Sequence, residues 1–289
     1  MQKLLSLLRS CTDDYSMIEE GDRIAVGVSG GKDSLTLLVL MAALQKFYPK
    51  HFTLEAVCID MGLGGMDFSP VKQLCESLSV PFTRVQTEIG KIIFDYRKEK
   101  NPCSMCAKMR RGALTNALVE RGYNKVALGH HYDDAVETFM MSLLYEGRIS
   151  CFQPVTYLDR TGITQIRPML YLTEQQIAHF AERQQLPVVH NTCPADKHTK
   201  REEIKQLVYE LSGRYPDFKA HIFEGMQKLP LPEWGISSKK PLQRKQQKHS
   251  GKSENTDYGG RKNADPDLKA DGTADQVDQH KTDSSEEQI

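Results

Sequence analysis

The chain has 289 residues, 38 Lys/Arg against 38 Asp/Glu, and a formal net charge of zero. That length allows one large domain or two of ordinary size, and the balance excludes a strongly basic nucleic-acid coat while leaving room for local basic patches. A mean hydropathy of −0.50 with 26% charged residues excludes a bundle of membrane spans. The apolar run near the N-terminus is cut by Arg9, Asp13 and Asp14, which argues against a secretory signal, so a cytoplasmic protein with no membrane partner is expected. Seven cysteines, an odd number in a chain read as not exported, are expected to be thiols or metal ligands, not a disulfide frame.

Four regions follow in chain order: a helical segment over 1–20, an α/β domain over 21–170, a small helical extension over 171–235, and a charged tail over 236–289. Apolar runs at Ile24–Val28, Leu54–Ile59, Phe82–Val85, Val126–Leu128 and Ile163–Ile166 predict short buried strands. Helical patterns over Ser34–Phe47, Val71–Leu78, Cys103–Glu120 and Asp134–Tyr145 separate them, and Thr173–Gln184, Lys197–Leu211 and Phe218–Lys228 follow. This alternation predicts an α/β fold with a parallel five-stranded Rossmann-like sheet and helices on both faces. Ligands in such a sheet bind beyond the carboxyl ends of the strands, near the topological switch point. The tail holds nine residues of the hydrophobic set and is expected to be disordered. Its basic half, 236–262, carries eight Lys/Arg, and its acidic half, 263–289, carries eight Asp/Glu.

The first strand runs directly into Ser29-Gly30-Gly31-Lys32-Asp33-Ser34 and then a helix. Two glycines allow a tight turn in which successive N–H groups face one anion. The helix behind adds the positive end of its dipole, Ser29 and Ser34 add hydroxyls, and Lys32 adds a mobile charge. Asp33 stands where a Walker A loop needs Ser or Thr, so the hexad is a phosphate loop of another kind. It resembles the pyrophosphate loop of the PP-loop ATPases (N-type ATP pyrophosphatases), which cut ATP between its α- and β-phosphates. The resemblance implies that Asp60, ending the second strand, lies at the adenosine end of the nucleotide. Gly129-His130-His131-Tyr132-Asp133-Asp134 is similar to the family's GHxxDD signature. A carboxylate of that pair would hold Mg²⁺ or position the acceptor, whereas His130 and His131 are read as polar bystanders.

Cys103 and Cys106 open a helix at i and i+3, on one face of its first turn. A lone CxxC is ambiguous among zinc, redox and iron–sulfur roles. A structural zinc wants four ligands, and the chain has no second CxxC. The thiol left over is Cys193 in a Thr-Cys-Pro context, and three thiolates would leave one corner of a cubane cluster open. Cys58 and Cys75 read as buried hydrophobes, Cys11 lies near a helix end, and Cys151 follows the helix after the Asp pair. Lys108, Arg110 and Arg111 cluster with Arg97, Lys98 and Lys100 around the CxxC, while Lys197, Lys200 and Arg201 follow Cys193; both basic patches suit an RNA loop.

Together these motifs resemble the TtcA-type tRNA 2-thiolation enzymes over roughly 20–210. The resemblance implies a sulfurtransferase that adenylates O2 of a cytidine, at tRNA position 32, and replaces it by sulfur with release of AMP and pyrophosphate. It also implies ATP, Mg²⁺ and a 4Fe-4S cluster on Cys103, Cys106 and Cys193. The nucleotide would be bound by Ser29, Gly30, Gly31, Lys32, Asp33, Ser34, Asp60 and Gly129. Lys32, Asp33, Asp134 and Arg110 would be catalytic. Expected partners are tRNA and a sulfur donor, either sulfide or sulfur from a cysteine desulfurase, and a homodimer is an assembly the sequence allows. The rivals are a 2-thiouridine synthase or lysidine-type ligase of the same superfamily, zinc in place of the cluster, and a metal-binding RNA-binding protein without catalysis.

Overall fold

The structure, a computed structural model, describes residues 1–97, 102–189 and 200–228. Cys193, Lys98, Lys100, Lys197 and the charged tail lie outside the described residues. Helix α1 (Gln2–Asp14) buries Leu8 and Cys11 against α2 (Lys32–Gln45). Residues 34–42, Ser-Leu-Thr-Leu-Leu-Val-Leu-Met-Ala, are buried on every face of α2, which fits a helix with no polar stripe. Sequence reading started this helix at Ser34; it begins at Lys32 because Gly31 serves as its N-cap.

The strands are β1 (Asp22–Gly27), β2 (Phe52–Asp60), β3 (Phe82–Gln86), β4 (Lys125–Ala127), β5 (Val155–Leu158) and β6 (Ile163–Ile166). They form one sheet in the order β3-β2-β1-β4-β6-β5. Every pairing is parallel except β5 with β6. The expected sheet of five parallel strands therefore gains a sixth, antiparallel edge strand. β5 escaped detection because it carries no buried apolar run; Tyr157 in it is 61% exposed. It joins β6 through the turn Asp159–Gly162 and pairs Val155 with Ile166.

The chain runs outward from β1 through β2 to β3, then returns to β4 on the opposite side of β1. The β1–β4 boundary is therefore the switch point, and the segments leaving both strands must face each other there. Helices α3 (Ser69–Ser77), α4 (Ile89–Lys91), α5 (Pro102–Glu120) and α6 (Tyr132–Glu146) provide the crossovers and cover. A π-helical turn over Ile92–Arg97 continues α4 and buries Ile93 beside Met61 and Ile89; no sequence pattern predicted it. Helices α7 (Glu174–Arg183), α8 (Lys200–Arg214) and α9 (Phe218–Lys228) follow. α8 docks through Ile204 and Val208, and Phe223 of α9 stacks on Tyr132 with ring centroids 4.6 Å apart. Among the described residues no helix is long and apolar enough to cross a membrane.

Candidate active site

The turn from β1 into α2 is closed by its own hydroxyls. Ser34 Oγ donates to the Gly31 carbonyl at 2.9 Å and accepts from the Ser29 backbone N–H at 3.2 Å. Gly30 adopts φ +87°, and a Cβ there would come within 2.9 Å of Val189 Cβ, so glycine is required twice over. Val189 N–H donates to the Gly30 carbonyl at 2.9 Å, which ties the loop to the chain beyond α7. Facing the turn, Gly129 follows the end of β4. A Cβ on it would lie 3.3 Å from the Ser34 backbone nitrogen, so the lack of a side chain sets how closely this segment approaches the start of α2.

His131 caps α6 with Asp134 in a reciprocal capping box: the His131 N–H donates to Asp134 Oδ2 at 2.9 Å, and the Asp134 N–H donates to His131 Nδ1 at 3.4 Å. The paired aspartates then part company. Asp133 is buried; its carboxylate accepts from the Glu174 N–H at 2.6 Å and from Lys219 Nζ at 2.5 Å, fastening α7 and α9 to α6. Asp134 instead faces a cavity of about 180 Å³ lined by Lys32, Asp33, His131, Asp134, Glu137, Glu174, Arg201, Glu202 and Lys205.

Ion pairs thread this cavity. Lys32 Nζ lies 2.8 Å from Asp33 Oδ1 and 3.4 Å from Glu174 Oε1. Burial disfavours the Lys32 ammonium, but the Asp33 and Glu174 carboxylates outweigh it and hold its pKa above the ordinary lysine value. Glu174 also accepts from Lys205 at 2.9 Å; burial opposes its ionisation, yet Lys205 and Lys32 keep its pKa low. Arg201 reaches Asp134 at 2.8 Å through Nη2 and Glu137 at 3.4 Å through Nε. Burial pushes the Glu137 carboxyl up to about 7, Arg201 opposing and Asp134 adding to the rise. His131 Nε2 stands 3.4 Å from Asp134 Oδ2 and 4.0 Å from Asp33 Oδ1, bridging the two expected catalytic carboxylates.

Asp60 sits at the end of β2, outside this cavity. It accepts from the Gly62 N–H at 3.0 Å and from Arg84 at 2.5 Å. Burial would raise its pKa, but these donors prevail and hold the carboxyl below the usual range. On the first turn of α5, Cys103 is exposed and Cys106 is half-buried, its Sγ 3.3 Å from Met61 Sδ. Met61 follows Asp60, so the CxxC turn packs directly against the segment leaving β2. Arg110 and Arg111 are exposed on α5 and stand outside the cavity lining. Cys11, Cys58 and Cys75 are buried, and burial lifts the thiols of Cys58 to about 12 and Cys75 to about 11. Cys151 donates to the Ala135 carbonyl at 3.4 Å, with burial raising its thiol to about 12.

Thus Lys32, Asp33 and Asp134 come together, with Gly129 packed behind them, while Asp60 and Arg110 stand apart. Glu137, Glu174, Lys205 and His131 were not foreseen as site residues. Glu137 was visible as the residue one turn beyond Asp134 on the same helical face. Arg201, expected in a basic patch for RNA, turns instead onto two carboxylates of the cavity.

A glycine turn at a helix start, placed at the switch point of a parallel sheet with a lysine inside and carboxylates opposite, defines a phosphate-loop α/β protein. A family model described as PP-loop domain matches residues 2–211. The chain is 37% identical over 227 residues to the tRNA-cytidine(32) 2-sulfurtransferase of Anaeromyxobacter dehalogenans, covering 78% of each chain. It is 38% identical over 219 residues to the protein of that name in Pelobacter propionicus, covering 75% of this chain and 81% of the relative. Among solved structures, the U34-tRNA thiolase NcsA from Methanococcus maripaludis, with its 4Fe-4S cluster, superposes with a TM-score of 0.63 at 24% identity over 76% of each chain, a likeness of fold. The chain belongs to the PP-loop family, in the branch whose curated members are called tRNA-cytidine(32) 2-sulfurtransferases.

Proposed function

We propose that the chain is an ATP-dependent tRNA-cytidine 2-sulfurtransferase acting in the cytoplasm on position 32 of the anticodon loop. The observation that carries this reading is the meeting of Lys32 and Asp33 with Asp134 across one cavity, in a chain 37% identical to such an enzyme.

The chemistry follows from leaving-group strength. Oxide is a poor leaving group from C2 of a pyrimidine. Attack of O2 on the α-phosphorus of ATP expels pyrophosphate and makes O2 part of an AMP ester. A sulfur nucleophile then forms a bond to C2, and the C2–O2 bond breaks as AMP departs. Lys32, the loop N–H groups of Gly30 and Gly31, and the hydroxyls of Ser29 and Ser34 would hold the phosphates and stabilise their developing charge. Asp33 would orient Lys32 through their 2.8 Å contact. Asp60 would mark the adenosine end, and Arg110 would steer phosphate or RNA backbone from α5.

Asp134 and Asp33 are the carboxylates that would hold Mg²⁺: both line the cavity beside Lys32, and Asp134 already binds a cation, the Arg201 guanidinium at 2.8 Å. Mg²⁺ is commonly bound by one or two carboxylates together with phosphate oxygens and water, and the two aspartates beside the phosphate loop would supply those carboxylates. Cys103 and Cys106, one turn apart with one thiol exposed, fit as two ligands of a 4Fe-4S cluster, and Cys193 is proposed as the third. When bound, such a cluster supplies an open coordination position for inorganic sulfur delivered as sulfide or by a cysteine desulfurase.

The test is nucleoside mass spectrometry of tRNA from cells lacking the gene. Loss of 2-thiocytidine, restored by the wild-type gene and not by Cys103→Ser, is the expected result. Persistence of 2-thiocytidine overturns the assignment.

A further inference from the structure

We infer that Arg201 is a polyphosphate-binding residue of this enzyme, parked on Asp134 and Glu137 until the nucleotide arrives. The inference rests on the PP-loop assignment and is independent of the thiolation step.

Carboxylates outnumber cations in the cavity lining, so a polyphosphate entering beside Lys32 meets an unfavourable field unless cations are added or released. Each cation there is already held by carboxylate: Lys32 by Asp33 and Glu174, Lys205 by Glu174, and Arg201 by Asp134 and Glu137. One of these pairings is arranged so that release leaves no buried carboxylate alone. Glu174 shares its Oε1 between Lys32 and Lys205, so Lys32 can turn to phosphate while Lys205 continues to neutralise Glu174. Asp134 is the carboxylate proposed above for Mg²⁺, and a cation arriving there takes over the charge that Arg201 now supplies.

Arg201 is the group that such an exchange frees. Its fork is split between two carboxylates, at 2.8 Å and 3.4 Å, and is not bidentate to either. Among the described residues its Nη1 has no partner, so it holds donors in reserve for phosphate oxygens. It stands at the second position of α8, and its side chain is 36% exposed, which leaves it room to turn.

A purely structural role does not account for this placement. α8 is anchored on α6 without the ion pair, by Ile204 and Val208, each 2% exposed. Tyr145 of α6 adds two further ties, donating to Glu203 at 2.7 Å and stacking under Lys200 at 4.7 Å. Fixing α8 therefore does not require a charge on Arg201.

The experiment is calorimetric titration of the full chain with magnesium pyrophosphate, with an α,β-methylene analogue of ATP plus magnesium, and with adenosine. Arg201→Gln should weaken pyrophosphate and analogue binding by roughly 10- to 100-fold, the worth of a charge-assisted contact. Adenosine affinity should stay within about 2-fold, because that ligand lacks the phosphates. Arg201→Lys should recover part of the loss, and Glu203→Gln on the same helix should change nothing. Unchanged or tighter pyrophosphate binding in Arg201→Gln overturns the inference, since the arginine would then only plug the carboxylates. Equal loss of adenosine and pyrophosphate binding, with a lowered Tm that Arg201→Lys does not restore, also overturns it by assigning Arg201 to the fold. Normal pyrophosphate binding changes in a protein that makes no 2-thiocytidine would leave this inference standing while removing the proposed thiolation.

Discussion

Glu137 carries a thermodynamic signature that the cavity's geometry dictates. Its side chain is buried, 6% of the residue is exposed, and burial raises its pKa from 4.5 to about 7. Because the folded value lies above the unfolded one, folding favours the protonated form. The penalty is absent below the unfolded pKa and grows as pH rises through the folded one. From 4.5 and about 7, the penalty is about 1 kcal/mol near pH 5 and about 3 kcal/mol near pH 8. Glu137→Gln removes the ionisation and keeps a side chain able to hydrogen-bond, while Arg201 remains paired with Asp134 at 2.8 Å. The gain from Glu137→Gln should therefore be about 2 kcal/mol larger near pH 8 than near pH 5. The folded value of about 7 already includes the attraction of Arg201 for the Glu137 carboxylate, so the difference is net of that ion pair. Urea unfolding of both proteins at the two pH values measures the double difference, in which every titrating group that does not interact with Glu137 cancels. A gain independent of pH, or one larger at pH 5, refutes the electrostatic picture of this cavity.

Other perturbations probe separate links. Gly30→Ala puts a methyl into a φ of +87° and against Val189; pyrophosphate affinity by calorimetry should fall at least 10-fold, with a stability loss of about 1–2 kcal/mol in urea. Lys125 and Asp22 form an ion pair at 2.8 Å with side chains 9% and 3% exposed, so Lys125→Met should cost about 3 kcal/mol by leaving a buried carboxylate with two neutral donors only, the Glu19 N–H at 2.6 Å and Asn124 Nδ2 at 2.7 Å. Asp22→Asn added to Lys125→Met should restore part of that loss in the same unfolding assay. Thr173→Ala breaks the capping box of α7 and should cost about 1 kcal/mol, loosening Glu174 and lowering Lys32-dependent phosphate binding.

Much of this arrangement is legible in the sequence because it is local. The run Ile24–Val28 leads into two glycines and an all-apolar helix, and these neighbours in sequence are neighbours in space. A ligand site near a switch point was expected from the alternation of strands and helices, but its place between β1 and β4 follows only from the strand order. What the sequence hides is the cavity's far wall. Glu174 lies 142 residues from Lys32 in the chain, and on its own helix it looks like an ordinary first-turn acid. Arg201 reads as part of an RNA-facing basic patch and Lys205 carries no signal of its own, because helical periodicity says nothing about which distant carboxylate a charge will meet. The edge strand β5 is hidden for the opposite reason: it lacks a buried stripe, and its turn at Asp159–Gly162 was the one local signal available. Asp133 and Asp134 look equivalent as a dipeptide, yet α6 sends one inward to fasten α7 and α9 and the other into the cavity.

The account's central claim is that this phosphate site activates a cytidine for replacement of its oxygen by sulfur. Its most direct test is an anaerobic reaction of the iron-loaded full chain with unmodified tRNA, magnesium ATP and sulfide, in which AMP and 2-thiocytidine are quantified together. The account predicts tRNA-dependent AMP formation matched by 2-thiocytidine at position 32, with both abolished by Lys32→Ala. AMP formed without any thiolated nucleoside, or 2-thiocytidine formed without ATP, would contradict it.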